Sequence, residues 1–329
     1  MRFLILGAGS WGSALALYLA TRDHAVVLWG HDANEMAQLA QSRTNPHYLQ
    51  AMLPEQIQIT SDLAQAFQWA GKDPIVLMVI PSHAFEEVLV NLQPYLSPTM
   101  PIMWGTKGLS PQGDLLHQLC QRIYPHHPLA VLSGPSFAAE VIKGLPTAVT
   151  IASTDPTFGD TLVQAFHSET FRIYLSQDII GVQLGGAIKN VLAIAVGMSD
   201  GLGFGANARS ALITRGLAEL CRLGEKLGAK LPTMMGLSGV GDVVLTCTDN
   251  QSRNRRFGLA LGQGKSAQQA QTEIGQVVEG KDNVKQVIAL AQKMHVEMPI
   301  CQQVLAVLYQ GVTPQQAVQQ LLTRAPKTE

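Results

Sequence analysis

A chain of 329 residues that is 47% hydrophobic and only 14% charged is long enough for two domains with buried cores, and its composition excludes a disordered protein. A net charge of -1 leaves no electrostatic footprint for nucleic acid or an acidic membrane. Cys120, Cys221, Cys247 and Cys301 form no close pair and the histidines show no ligand spacing, so reduced thiols, no metal and a cytoplasmic compartment are expected.

The first half of the chain alternates short apolar runs with helical patterns, as a parallel sheet with crossover helices requires. Strands are predicted at Phe3–Leu6, Ala25–Trp29, Ile75–Val79, Ile102–Trp104, Leu129–Leu132, Ala148–Ala152 and Phe171–Tyr174. The N-terminal apolar run is too short for a signal peptide and reads as the first strand. The first five strands end in the turn-forming clusters GAGS, GHD, PSH, GTKG and SGPS. In open α/β sheets ligands bind outside the carboxyl ends of the strands, so these clusters are expected to converge on one site.

From about Gln177 the β signals stop. Helices are predicted at Val182–Gly197, Ser210–Leu227, Lys281–Lys293 and Val304–Tyr309, separated by the loops SDGLGFGAN, GLSGVGD and GQGKS, with a frayed tail TRAPKTE. The expected architecture is α/β: a Rossmann-type, mostly parallel sheet domain over residues 1–176, followed by an all-helical domain over 177–329. The run Ile179–Ser199 carries one charge, Lys189. A lysine at mid-bilayer costs about 2.5–3.5 kcal/mol, so a buried helix is expected and membrane insertion is not.

Strand, glycine turn and helix occur together in FLILGAGSWGSALALYLA, the context that a dinucleotide fingerprint needs. Gly7 makes the tight turn, Gly9 lets the backbone approach a pyrophosphate, and Gly12 lets helix pack on strand. The helix N-terminus offers free N–H donors and a positive dipole end to the phosphates. NAD enzymes usually carry a carboxylate at the end of the second strand. Here that place reads Trp29-Gly30-His31-Asp32. His31 tolerates a 2′-phosphate and favours NADP(H), while Asp32 keeps NAD(H) open.

Lys189 lies in GVQLGGAIKNVLAIAVG, and lysine is almost never buried without a partner or a task. Gly185 and Gly186, one turn earlier, leave room for a backbone or a ligand on that face. Desolvation lowers a lysine's pKa, which suits a proton donor to a carbonyl oxygen. Asp242, in GVGD, is its candidate partner; taken alone, Asp242 reads as a helix N-cap. The run Asn250–Arg256 offers anion donors, with Arg253 the candidate phosphate fork and Arg255 and Arg256 read as a solvated basic loop. Lys107 and the cluster Ser133–Ser136 end two strands and face the same expected site. Together these residues point to hydride transfer to the carbonyl of a small phosphorylated substrate, with Lys189 as acid and Arg253 as anchor.

The segments GAGSWGSALA, WGHD, PSH, TKGL, SGPSFAAE, GLPTA, GVQLGGAIKNVLAIAVGMSDGLGFGANARSALITRGL, TCTDNQSRNRRFG and GQVVEG stand in the order found in bacterial NAD(P)-dependent glycerol-3-phosphate dehydrogenases, which the chain resembles over most of residues 1–300. The resemblance implies reversible reduction of dihydroxyacetone phosphate to sn-glycerol 3-phosphate, the backbone of phospholipids. It implies Lys189 as the catalytic residue. It further implies cofactor contacts at Ser10, Trp11, His31, Lys107, Ala138, Arg253, Val277 and Glu279. Substrate contacts are implied at Lys107, Gly134, Ser136, Lys189, Asp242, Ser252, Arg253 and Asn254. Glu279 carries no signal of its own and otherwise reads as a surface residue. Two readings stay open beside this one: a related dehydrogenase of hydroxyacids or sugar phosphates, and a catalytically silent cofactor-binding sensor. The sequence does not fix the oligomeric state, and a homodimer is compatible with it.

Overall fold

The computed structural model describes residues 1–45 and 47–324, so the end of the tail expected to fray lies outside the described residues. The chain divides into two compact units. The first comprises Met1–Lys107 and Leu116–Val182, and the second comprises Gly108–Leu115 and the chain from Gln183 onward.

Among the described residues the first unit is built on ten strands: β1 (Arg2–Leu6), β2 (Ala25–Trp29), β3 (Thr44–Asn45), β4 (Leu49–Met52), β5 (Gln58–Thr60), β6 (Ile75–Met78), β7 (Ile102–Trp104), β8 (Leu129–Ser133), β9 (Thr147–Ser153) and β10 (Phe171–Ser176). Eight of them form one sheet in the order β10-β9-β8-β7-β6-β1-β2-β5, and β3 pairs with β4 apart from it. Every pairing in the large sheet is parallel except β8 with β9. Strand order reverses at β1, which lies between β2 and β6, the place where open α/β sheets bind ligands.

Alternation within β1 explains its unbroken apolar sequence. Phe3 and Ile5 enter one core. Leu4 and Leu6 enter a second core on the opposite face. A strand covered on both faces must be apolar at every position. The seven predicted strands are all present, Ala25–Trp29 and Ile102–Trp104 with the expected ends and the others within two residues of them, whereas β5 and the β3–β4 pair are not among the expected strands.

In the second unit the helices are longer and more numerous than the sequence suggests. The lysine-bearing helix runs Ile179–Gly201, followed by Gly205–Leu227, Asp242–Thr248, Arg253–Gly262, Ala267–Ile274, Glu279–Lys293, Pro299–Tyr309 and Pro314–Leu322. GLSGVGD is not a plain loop: Leu237–Gly241 forms a π-helical turn leading directly into Asp242–Thr248. The helix Ile179–Gly201 is long and apolar enough to cross a membrane, yet 94% of its apolar window is buried within the fold.

Two glycine pairs, each four residues apart, let the helices Ile179–Gly201 and Arg253–Gly262 cross with their backbones in near contact. A Cβ on Gly197 would lie 2.1 Å from the Arg255 carbonyl oxygen, and one on Gly258 would lie 2.1 Å from that of Ile194. Neither position accommodates a side chain without moving a helix.

Glu219 provides a second internal tie. Only 1% exposed, it accepts hydrogen bonds from the Ile300 and Cys301 N–H groups (2.6 and 3.2 Å) at the start of the helix Pro299–Tyr309. Glu219→Ala is expected to cost about 2–4 kcal/mol, because it strands two buried donors. Burial pushes the Glu219 carboxyl up, with the two backbone donors opposing. A carboxyl raised in the folded state contributes fully below its unfolded value of about 4.3, and that contribution fades as pH rises through the raised value. Stability relative to Glu219→Gln is therefore expected to fall as pH rises above about 4.3, measured by urea unfolding across pH.

Candidate active site

Within the first unit, the ends of β1, β2, β6, β7 and β8 lie along one edge of the sheet, because those five strands are mutually parallel. The glycine turn after β1 has the geometry its sequence predicts. Gly7 adopts φ +117°, and a Cβ there would lie 2.3 Å from the Val79 carbonyl oxygen. A Cβ on Gly12 would lie 1.8 Å from the Gly7 carbonyl oxygen, so the helix Ser10–Ala20 can sit on its strand only with glycine there. Gly9 differs: a Cβ there would meet nothing within 4 Å.

Gly9 is the N-cap of that helix and has no side chain with which to cap its first backbone donors. Nearby, the Trp11 indole N–H is buried and has no hydrogen-bond partner among the described residues. Open space at Gly9, uncapped helix donors and an orphaned indole donor suit an acceptor-rich pyrophosphate. The residues present therefore fit a dinucleotide.

After β2, His31 is exposed. Asp32 is the N-cap of the helix Ala33–Ser42, accepting from the Glu35 N–H at 2.9 Å, so its carboxylate already has a structural task. Lys107, Gly134 and Ser136 converge: Lys107 Nζ and Ser136 Oγ donate to the Gly134 carbonyl oxygen at 3.0 and 3.1 Å. Ala138 begins a short helix just beyond.

Within the second unit, Gly185 faces the π-helical turn so closely that a Cβ would lie 2.1 Å from the Ser238 carbonyl oxygen. Four residues on from each contact point stand Lys189 and Asp242, which therefore face each other as well. Lys189 Nζ donates to Asp242 Oδ1 at 2.5 Å and to Thr246 Oγ1 at 3.1 Å. The two charged side chains are 10% and 1% exposed. Asp242 is the first residue of its helix and Gly241 is the N-cap, so the N-cap reading of Asp242 does not hold. Its carboxylate turns to the lysine because an uncompensated buried ammonium would be far more costly than an uncapped helix.

Asn190, next to Lys189, links two further positions. Its Nδ2 donates to Glu279 Oε2 at 3.2 Å, and its Oδ1 accepts from Asn254 Nδ2 at 2.9 Å. Asn254 Oδ1 in turn accepts from the Gly280 N–H at 2.9 Å. Glu279 is thus half-buried in a polar network and not a surface residue. Arg253 reaches Gln276 Oε1 at 3.3 Å, and Val277 beside it is exposed. Ser252 caps the helix Arg253–Gly262 through the Arg255 N–H. The Arg253–Arg256 stretch is accordingly helical, and only Arg256 is exposed as expected; Arg255 is 7% exposed and fully engaged.

Residues 3–159 match the family described as NAD-dependent glycerol-3-phosphate dehydrogenase N-terminus, and residues 178–319 match its C-terminus. The chain belongs to the NAD-dependent glycerol-3-phosphate dehydrogenase family. It is 54% identical to a Shewanella frigidimarina glycerol-3-phosphate dehydrogenase [NAD(P)+], over 99% of this chain and 96% of that protein. An Aeromonas hydrophila relative of the same name is also 54% identical, over 99% and 98%. The crystal structure of a Coxiella burnetii glycerol-3-phosphate dehydrogenase, 48% identical, superposes with a TM-score of 0.95 over 98% of each chain.

As a glycerol-3-phosphate dehydrogenase family member the chain is an NAD(P)-dependent oxidoreductase, and two of its buried polar residues escape motif reasoning. Thr246 had a usable signal, since it stands four residues after Asp242 on the same helix face. Asn190 had a weaker one, a polar residue beside the lysine of an apolar run.

Proposed function

We propose that this chain reduces dihydroxyacetone phosphate reversibly to sn-glycerol 3-phosphate in the cytoplasm, with Lys189 handling the proton at the carbonyl oxygen. The observation that carries this reading is the buried Lys189–Asp242–Thr246 cluster. When bound, the nicotinamide cofactor supplies or takes the hydride. Lys189 donates to the substrate oxygen in reduction and receives its proton in oxidation, as microscopic reversibility requires. Asp242 compensates the ammonium and, with Thr246, fixes its direction.

Arg253 offers a bidentate fork to the substrate phosphate, with Asn254, Ser252, Lys107, Gly134 and Ser136 as further contacts. The glycine turn, Ser10, Trp11, His31, Lys107, Ala138, Arg253, Val277 and Glu279 hold the cofactor. Four free cysteines, three of them buried, support a reducing compartment. A carboxylate at Asp32 already committed to its helix, beside an exposed histidine, supports NADPH as the better reductant.

A parallel assay of dihydroxyacetone phosphate reduction with NADPH and NADH tests both parts. We expect turnover with both and the higher kcat/KM with NADPH. A clear preference for NADH would overturn the reading of His31 and Asp32, and no oxidation of either would overturn the proposed reaction.

A further inference from the structure

Arg255 is a guanidinium held away from water at the crossing of two helices. Its Nε donates to the Cys247 carbonyl oxygen at 3.0 Å, one terminal nitrogen donates to Asn250 Oδ1, and the other donates to Asp200 Oδ2 at 2.5 Å. The three arms end on three different segments: the last turn of the helix that begins at Asp242, the loop before Ser252, and the far end of the lysine-bearing helix. Asp200 also receives Arg209, whose guanidinium ends on that carboxylate.

The position of this brace is informative. Asp200 stands 11 residues after Lys189, three helical turns and roughly 16 Å along nearly the same face. The adjacent residues Asn254 and Arg255 point about 100° apart on their own helix. Asn254 grips Asn190 while Arg255 grips Asp200, so the start of the helix Arg253–Gly262 is registered on the lysine helix at two separated points. One contact would leave that end free to pivot about it. Two contacts fix the direction in which Arg253 presents its fork relative to Lys189 Nζ. The glycine contacts at Gly197 and Gly258 set the spacing of the helices but not this rotation.

We propose that Arg255 is a positioning residue for the substrate phosphate, acting through Cys247, Asn250 and Asp200 to aim Arg253 and Asn254 at a substrate whose carbonyl lies at Lys189. This rests on the proposed reaction. Lysine cannot reproduce three arms, because its ammonium lacks the planar fork. Arg255→Lys is therefore expected to raise the KM for dihydroxyacetone phosphate at least tenfold. The Kd for glycerol 3-phosphate, measured by calorimetry, should rise in step, while the KM for NADPH stays within about twofold and kcat falls less than KM rises. A merely structural arginine would lower the melting temperature and the active fraction and leave these constants alone.

Asp200→Asn and Asn250→Ala each weaken one arm and serve if Arg255→Lys fails to fold; each is expected to raise the same KM at least threefold, with Arg209→Ala near wild type. Unchanged substrate constants in the folded variants, or equal rises for substrate and cofactor, would overturn the proposal. An inactive wild type would instead defeat the proposed reaction itself.

Discussion

Asp242→Ala is expected to lower the stability of the chain by about 3–5 kcal/mol, one of the largest single-residue effects in this molecule. The cause is what it leaves behind. Lys189 would remain in the middle of an apolar helix, 8% exposed, with Thr246 as a neutral acceptor in place of a carboxylate. Removing both charges is a different matter, since a buried ion pair replaced by apolar groups of similar volume is often neutral or stabilising. Lys189→Met combined with Asp242→Leu is therefore expected to recover most of the stability lost in Asp242→Ala. Urea unfolding of the three proteins checks this. A double variant as unstable as the single one would show that the pair contributes packing and not charge compensation.

Lys189→Met is expected to lower kcat by about 100- to 10,000-fold, the usual contribution of a positioned proton donor. The Kd for NADPH should stay close to the wild-type value. The double variant separates chemistry from folding, because it should be stable and equally inactive. If it turned over at the wild-type rate, the proton would have to come from elsewhere.

Much of this was legible in the sequence, and the exceptions have physical reasons. Strands covered on both faces are apolar along their buried length, so Phe3–Leu6 of β1, all of β2 and Leu129–Leu132 of β8 stand out. By contrast β5 is three residues, Gln58–Thr60, and too short to show a period. Glutamine-rich helices such as Ala267–Ile274 and Pro314–Leu322 carry only a few apolar residues, a narrow stripe that is easily missed, yet each is announced by a capping box, Ser266 with Gln269 and Thr313 with Gln316. Lysine in an apolar run marked Lys189 before any fold was known, because burying it demands a counter-charge.

Arg255 was misread for the complementary reason. Its neighbours Arg253 and Arg256 make the stretch look like a solvated basic loop, and its partner Asp200 is 55 residues away in sequence. Glu279 was invisible because its partner Asn190 lies 89 residues away. Local patterns reveal a residue's chemistry. They do not reveal which distant side chain completes it.

The most direct test of the central claim is to supply NADPH carrying deuterium at the transferable position of its nicotinamide ring, with dihydroxyacetone phosphate, and to analyse the product. The account predicts glycerol 3-phosphate with one deuterium on its central carbon, formed in step with cofactor oxidation. Bound cofactor that is never oxidised, or oxidised without labelled glycerol 3-phosphate appearing, would contradict it.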